Sequence, residues 1–114
     1  MIPVDKWIWQ GMPAHFICAF KCWFRLCTVV GQYIISSVGA YNEDEKESKY
    51  RDIGCDRKFE TFVFRRGVKC TCGCGEWRIG EGEIDALYAN DVGTAHKNHM
   101  KMCKKYAGIR IRKG

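Results

Sequence analysis

The sequence lacks the features that mark membrane-spanning, secreted and repetitive proteins. No apolar run approaches the roughly 18 to 20 residues that a membrane-spanning helix needs, and the closest stretch, residues 15–30, is interrupted by Lys21 and Arg25. The first residues show no basic segment followed by a cleavable apolar one. The chain also has no internal repeat and no low-complexity segment. We therefore expect a cytoplasmic protein that makes no contact with a membrane.

Catalytic signatures are missing as well. Gly80 and Gly82 lack the Lys-Ser/Thr pair and the long helix that follow a phosphate-binding loop, so we assign them to a turn. His15 lies near Cys18 and Cys22 in the sequence, and a Cys–His pair is the raw material of nucleophilic catalysis. No third group that would orient such a pair is recognisable, so the sequence gives little support to an enzyme.

What is present is the composition of a globular protein. The chain of 114 residues is 46% hydrophobic and 13% aromatic, which supplies enough apolar material for a core. The length fits one domain, residues 1–114, because two halves would each be too small to bury a good core.

Alternating apolar side chains predict several β-strands. Residues 23–38 are divided by Gly31-Gln32, a two-residue connection that suits a type II′ hairpin. Residues 58–66 carry large apolar groups on both faces, which is typical of an inner strand. Residues 76–79 and 84–88 are expected to be two short strands joined by a tight reversal at the glycines between them.

A C-terminal helix completes the predicted fold. It is expected to run from Thr94 or the next residue to Ala107, with Asp91 or Thr94 as its cap and Gly108 as its stop. The fold class is therefore α+β, a twisted antiparallel sheet of four to six strands with this one helix packed on it. The expected core comprises Phe24, Leu26, Val30, Tyr33, Ile35, Phe59, Phe62, Val63, Phe64, Ile84, Met102 and Tyr106.

Eight cysteines in a chain of this length are compatible with disulfides or with a metal site. The absent secretory signal and the ample apolar material favour metal binding in a reducing compartment. The cysteines outside the metal site are Cys18, Cys22, Cys27 and Cys55. Most of these four are then expected to be small buried hydrophobes.

The cysteine and histidine spacing predicts where the metal binds. Cys72 and Cys74 lie on a glycine-rich turn, and His99 and Cys103 lie four positions apart on one face of the predicted helix. We predict that these four residues hold one structural Zn²⁺, with Cys70 as an alternative ligand, and that they stabilise the fold by pinning the helix to the turn. The competing interpretation is that His99 is a core histidine with satisfied hydrogen bonds and that the cysteines are free.

The net charge of +6 is concentrated at the C-terminal end. From residue 94 onward the chain has no acidic residue, and Arg110, Arg112 and Lys113 follow the helix. One helix face is predicted to bind anions, although a solvated lysine face is also an ordinary feature of helices. That face consists of Lys97, Lys101, Lys104 and Lys105.

Six strings are distinctive as a set: residues 11–16 (GMPAHF), 24–28 (FRLCT), 38–41 (VGAY), 53–61 (IGCDRKFET), 72–75 (CGCG) and 90–95 (NDVGTA). Together they resemble a family of small, uncharacterised proteins encoded by bacteriophages and prophages, and the resemblance covers most of the chain. It implies a viral protein that works in the host cytoplasm, where small accessory proteins are often binders that alter or block a host system.

Three functional hypotheses follow. The first is a non-enzymatic, phage-type accessory binding protein that inhibits or sequesters a host defence component and whose partner is a host protein or a small nucleotide ligand. The second is a zinc-stabilised nucleic-acid-binding module that uses the lysine face. The third is a small hydrolase or nucleotide-processing enzyme centred on His15 or on an open metal.

Overall fold

The structure, a computed structural model of the chain, describes residues 1–15, 22–41 and 59–108. Cys18 and Cys55, two of the cysteines outside the predicted metal site, lie outside these ranges. The described elements are a short 3-10 turn, five strands and one helix. They are the 3-10 turn Val4–Lys6, β1 (Ile8–Trp9), β2 (Cys22–Val30), β3 (Tyr33–Tyr41), β4 (Phe59–Lys69), β5 (Trp77–Ala89) and α1 (Val92–Tyr106).

The strands form a single antiparallel sheet in the order β1-β2-β3-β4-β5, so that each strand pairs with its neighbours in the sequence. Helix α1 packs against β2, β3, β4 and β5. This architecture confirms the predicted α+β fold, with its antiparallel sheet and one C-terminal helix. No helix within the described ranges has both the length and the apolar character to cross a membrane.

The β2–β3 hairpin forms where the sequence predicts it. Val30 pairs with Tyr33, which leaves Gly31 and Gln32 as a two-residue loop. Gly31 has a φ of 58°, whereas Gln32 is not among the described residues with positive φ. A positive φ at the first loop position alone is the signature of a type II′ turn, and glycine adopts it without steric cost.

The C-terminal half of the sheet differs from the prediction. Residues 76–79 and 84–88 belong to one continuous strand, β5, and β4 continues through Gly67 to Lys69, beyond the predicted end at residue 66. A Cβ on Gly67 would come within 3.0 Å of the Gly80 backbone, so the two glycines allow β4 and β5 to approach closely. The glycines that were expected to reverse the chain therefore accommodate bulges in a long hairpin.

One of these bulges explains an error in the predicted core. Val63 pairs with Asp85 and Phe64 pairs with Glu83, so Ile84 is an extra residue on β5 without a partner on β4. Its side chain is 42% exposed, although it was expected to be buried. In a regular strand, alternate side chains point to the same face, and this rule placed Ile84 in the core. The bulge interrupts the alternation at this point.

The rest of the predicted core is largely confirmed. Seven of its members are buried, namely Phe24, Val30, Ile35, Phe59, Val63, Phe64 and Met102. Four are partly buried, namely Leu26, Tyr33, Phe62 and Tyr106.

Helix α1 is defined by its caps. The side chain of Asp91 accepts a hydrogen bond from the Thr94 backbone N–H at 2.8 Å, which satisfies one free amide of the first turn. At the other end Gly108 has a φ of 77°, the left-handed conformation that commonly terminates helices. The helix therefore begins two residues before the expected Thr94, and Asp91 is the cap.

The N-terminal segment packs against the helix and the sheet. The Ile2 N–H donates to the Ala107 carbonyl at 2.8 Å, next to the end of α1. Trp7 is buried in the same core cluster as Val30 and Met102. Strand β1 then pairs with β2 at the edge of the sheet, and the residues after β1 reach Trp77 at the start of β5.

Candidate metal centre

Four side chains from two distant parts of the chain form a group that could hold a metal ion. They are His15, Cys70, Cys72 and Cys74, and their ligand atoms all lie within 4.8 Å of one another. His15 follows β1 in the N-terminal segment, and the cysteines lie in the connection between β4 and β5. Imidazole nitrogen and thiolate sulfur are the ligands that structural metal sites use most often for zinc.

The β4–β5 connection places its three cysteines on one short loop. The Cys70 N–H donates to the Glu76 carbonyl at 2.8 Å, which closes the loop at its base. Gly73 and Gly75 have φ values of 99° and 76°, and a Cβ at either position would meet no atom within 4 Å. Both positions therefore require glycine for their positive φ and not for lack of space. The left-handed conformation bends the loop, and the side chains of its three cysteines converge.

Gln10 holds the N-terminal segment against this loop. Its Nε2 donates to the carbonyls of Trp77 at 3.0 Å and Met12 at 3.1 Å, and its Oε1 accepts from the Trp77 N–H at 3.0 Å. The Ala14 N–H also donates to the Trp77 carbonyl, at 3.0 Å. Trp77 is the first residue of β5, so these bonds fix the segment beside the cysteine loop.

His15 completes the group from a constrained backbone. Its Nε2 lies 3.1 Å from the Cys72 Sγ. Its φ of 55° makes it the only non-glycine residue with a positive φ in the part of the chain that the structure describes. Such a conformation costs about 1 to 3 kcal/mol and is concentrated at functional sites. This left-handed backbone conformation occurs at the residue whose imidazole contacts the Cys72 thiol.

The surroundings favour a thiolate at the centre of the group. Hydrogen bonding to His15, and then to Cys70 and the Cys74 amide, lowers the pKa of Cys72 from 9.0 to about 6. The Glu76 amide favours the thiolate of Cys74, but desolvation and the neighbouring Cys72 and Cys70 outweigh it and raise the pKa of Cys74. The Cys70 Sγ lies 3.3 Å from the Cys72 Sγ. An exposed thiolate surrounded by further thiols and an imidazole is suited to bind a cation.

The structure does not bring the two predicted helix ligands to this group. Both ring nitrogens of His99 are occupied, since Nε2 lies 2.8 Å from the Thr28 Oγ1 and Nδ1 lies 2.8 Å from the Ser37 Oγ. Cys103 is fully buried in the core beneath α1, and burial raises the pKa of its thiol to about 11. Of the predicted ligands, the structure therefore brings together Cys72, Cys74 and the alternative Cys70, and it places His15 beside them, whereas His99 and Cys103 lie apart from this group.

The hydrogen bonds of His99 agree with the competing interpretation, a core histidine with satisfied partners. A further bond of 2.7 Å joins Ser37 Oγ to Thr61 Oγ1, so the imidazole belongs to a buried polar network that spans three strands and the helix. Burial, and secondarily the charge of His96, lowers the pKa of His99 to about 4. The ring is neutral at physiological pH and holds α1 on the sheet.

The predicted lysine face is largely present. Lys97, Lys101 and Lys104 are exposed on α1 and line a shallow groove of about 290 Å³ together with His96 and Met100.

Lys105 has a different role from the other three lysines. Its Nζ lies 2.7 Å from the Asp85 carboxylate of β5, which also accepts from the Tyr106 hydroxyl at 2.8 Å. This ion pair is satisfied within the protein, so Lys105 does not line the groove.

No protein-family model, curated protein or solved structure matches this chain. The functional conclusion therefore depends on the geometry of the described residues.

His15 is the member of the group that the sequence analysis did not include among the candidate metal ligands. It lies 57 positions from Cys72, and no spacing rule connects two residues so far apart. The available signal was that three clustered cysteines leave one tetrahedral position open, and that the chain offers only three histidines as nitrogen ligands for it.

Proposed function

We propose that this protein is a non-enzymatic binding protein whose fold is locked by one structural Zn²⁺, held by His15, Cys70, Cys72 and Cys74. The observation that carries the proposal is the convergence of three thiol groups and one imidazole within 4.8 Å. Zn–S bonds of about 2.3 Å in tetrahedral geometry place sulfurs about 3.8 Å apart. The 3.3 Å between the sulfurs of Cys70 and Cys72 is close to that value, so only a small adjustment is needed.

A structural role follows from the number of ligands. Four protein ligands fill the tetrahedral positions of zinc, and catalytic zinc sites keep one position for water. The ion would join the N-terminal segment to the β4–β5 loop, next to the hydrogen bonds that Gln10 and the Ala14 N–H make to Trp77. In small zinc modules, metal binding supplies much of the free energy of folding. A zinc ion that joins these two parts would stabilise the folded state of this chain in the same way.

The binding role is supported by what the surface offers. The groove on α1 presents Lys97, Lys101 and Lys104 on one side of the molecule. The resemblance to phage-encoded proteins suggests that the partner is a host component, and that the protein works by occupying that component. The proposed binding function is therefore directed at the host, where the protein would inhibit or sequester a defence component.

Metal analysis tests the zinc centre directly. Protein purified without chelators is expected to contain one zinc per chain, and X-ray absorption at the zinc edge is expected to show three sulfur neighbours and one nitrogen neighbour. His15→Ala and Cys72→Ser should lose the metal. His96→Ala is the matched control, because His96 is an exposed histidine outside the group, and it should keep the zinc.

The same analysis distinguishes the two possible sets of ligands. Cys103→Ala should retain full zinc content if the ion is held by the four residues at the loop. Loss of zinc in Cys103→Ala with retention in His15→Ala would refute the proposed centre, and so would purified wild-type protein without bound metal.

A further inference from the structure

A strip of positive charge runs along the exposed side of α1. Lys97, Lys101 and Lys104 line the groove and are spaced four and three residues apart, so their side chains lie on one face of the helix. At a rise of 1.5 Å per residue the strip is about 10 Å long. In the sequence, Arg110, Arg112 and Lys113 follow the helix directly.

Two neighbouring carboxylates are engaged mainly by groups outside the strip, although Asp91 also attracts Lys97. Asp85 binds Lys105 and Tyr106, and Asp91 accepts hydrogen bonds from both the backbone and the hydroxyl of Thr94. From residue 94 to the end the sequence has no acidic residue that could neutralise the strip. Within the described residues, the ammonium groups of Lys101 and Lys104 have no ion-pair partner and that of Lys97 has only the attraction of Asp91, so the strip can bind an external anion.

We propose that this groove binds the phosphate backbone of nucleic acid without reading its sequence. The inference rests on the proposed binding function and names the class of partner. A duplex strand carries one phosphate per 3.4 Å of axis, so a strip of about 10 Å spans about three phosphates, one for each lysine. Asn, Gln and Arg, which read base edges most specifically, are absent from the residues that line the groove.

The salt dependence of binding tests the inference. The probe is a fluorescent 20-base-pair DNA duplex, and its affinity is measured by anisotropy between 50 and 200 mM NaCl. Three phosphate contacts give a slope of about −2.7 in log affinity against log salt, a loss of about 40-fold over this range, and the basic tail would make the slope steeper. Lys101→Ala should flatten the slope by about 0.9.

Arg25→Ala is the matched control. Arg25 is an exposed cation on β2, and it alternates with Phe24 and Leu26, whose side chains point to the same face of the sheet as those that pack under α1. Arg25 therefore lies on the opposite face, and its removal should leave the slope unchanged. An equal effect of Arg25→Ala and Lys101→Ala would refute a localised site.

Charge reversal gives the decisive outcome. The variant with Lys97→Glu, Lys101→Glu and Lys104→Glu should lose duplex binding while its circular dichroism and zinc content match the wild type, because all three side chains are exposed. Undiminished binding by this variant would overturn the inference. Equal affinity of the wild type for poly-glutamate would also overturn it, since the groove would then bind acidic polypeptides as well.

Zinc content separates this inference from the proposed metal centre. If the protein carries no zinc but loses duplex binding on charge reversal, the metal centre is refuted and the groove stands. If zinc is present and the wild type does not bind the duplex at 50 mM NaCl, the groove is refuted and the metal centre stands.

Discussion

His99 should make the stability of the protein depend on pH in the weakly acidic range. The imidazole has no solvent exposure, and both its nitrogens lie 2.8 Å from hydroxyl oxygens of Thr28 and Ser37. Burial lowers its pKa in the folded state from 6.5 to about 4. In a neutral imidazole one nitrogen carries a proton and the other accepts one. One of the two hydroxyls can accept from the N–H and the other can donate to the bare nitrogen, so the network suits the neutral ring.

The sign of the effect follows from proton binding. As the pH falls below 6.5 the unfolded chain takes up a proton at His99, and the folded protein does not until the pH approaches 4. The unfolded state is therefore favoured progressively across this interval. A pKa of about 4 in place of 6.5 corresponds to about 3 kcal/mol of unfolding free energy that is present at pH 7 and lost near pH 4.

Urea denaturation of the wild type and of His99→Gln from pH 7 to pH 4.5 measures this contribution. The wild type should be more stable at pH 7, and its advantage should shrink steadily as the pH falls. Contributions from other groups, including the metal ligands, cancel in the difference between the two proteins. His96→Gln is the control, because His96 is exposed, and its pH profile should follow that of the wild type.

A wild-type advantage that stays constant from pH 7 to pH 4.5 would refute the reasoning. If His99→Gln does not fold, nuclear magnetic resonance on the wild type decides the matter. The His99 imidazole signals should remain those of a neutral ring at pH 5, and titration with a midpoint near 6.5 would contradict the buried network.

Three further predictions concern packing, capping and the N-terminal segment. Gly39→Ala should lower the unfolding free energy by about 1 to 3 kcal/mol in urea denaturation, because its Cβ would overlap the buried Phe59 ring; an unchanged midpoint would contradict this. Asp91→Ala should lower the urea midpoint because it removes the cap, whereas Asp91→Asn keeps an acceptor and should lower the midpoint less; equal midpoints for Asp91→Ala and the wild type would contradict this. Gln10→Leu should speed zinc release to a chelator, because it removes the bonds to Trp77 that hold His15 near the loop; an unchanged rate would show that the segment is held by other contacts.

Local patterns predicted those parts of the fold whose causes lie close together in the sequence. The β2–β3 hairpin needs only alternating side chains and a glycine able to adopt a positive φ at position 31. Helix α1 follows from its apolar stripe, its cap at Asp91 and its stop at Gly108. Each of these signals acts within a few residues, which is why the sequence was sufficient.

The prediction failed where two strands had to be considered together. Gly67 and Gly80 each resemble a turn residue when their own neighbours are inspected. In the sheet they face one another, and the absence of a side chain on both allows β4 and β5 to stay paired through the bulges. A bulge is a property of the pair of strands, so the sequence of either strand alone does not reveal it.

The sequence by itself determined which thiols meet at the site, because Cys70, Cys72 and Cys74 lie on one short glycine-rich loop. It also determined the one-sided charge of the C-terminal helix. Only the tertiary structure decided which nitrogen faces those thiols. His99, on the helix, is drawn into the core by Thr28 and Ser37, while Gln10 anchors the N-terminal segment and brings His15 to Cys72. These contacts join residues far apart in the chain, and chain folding alone creates them.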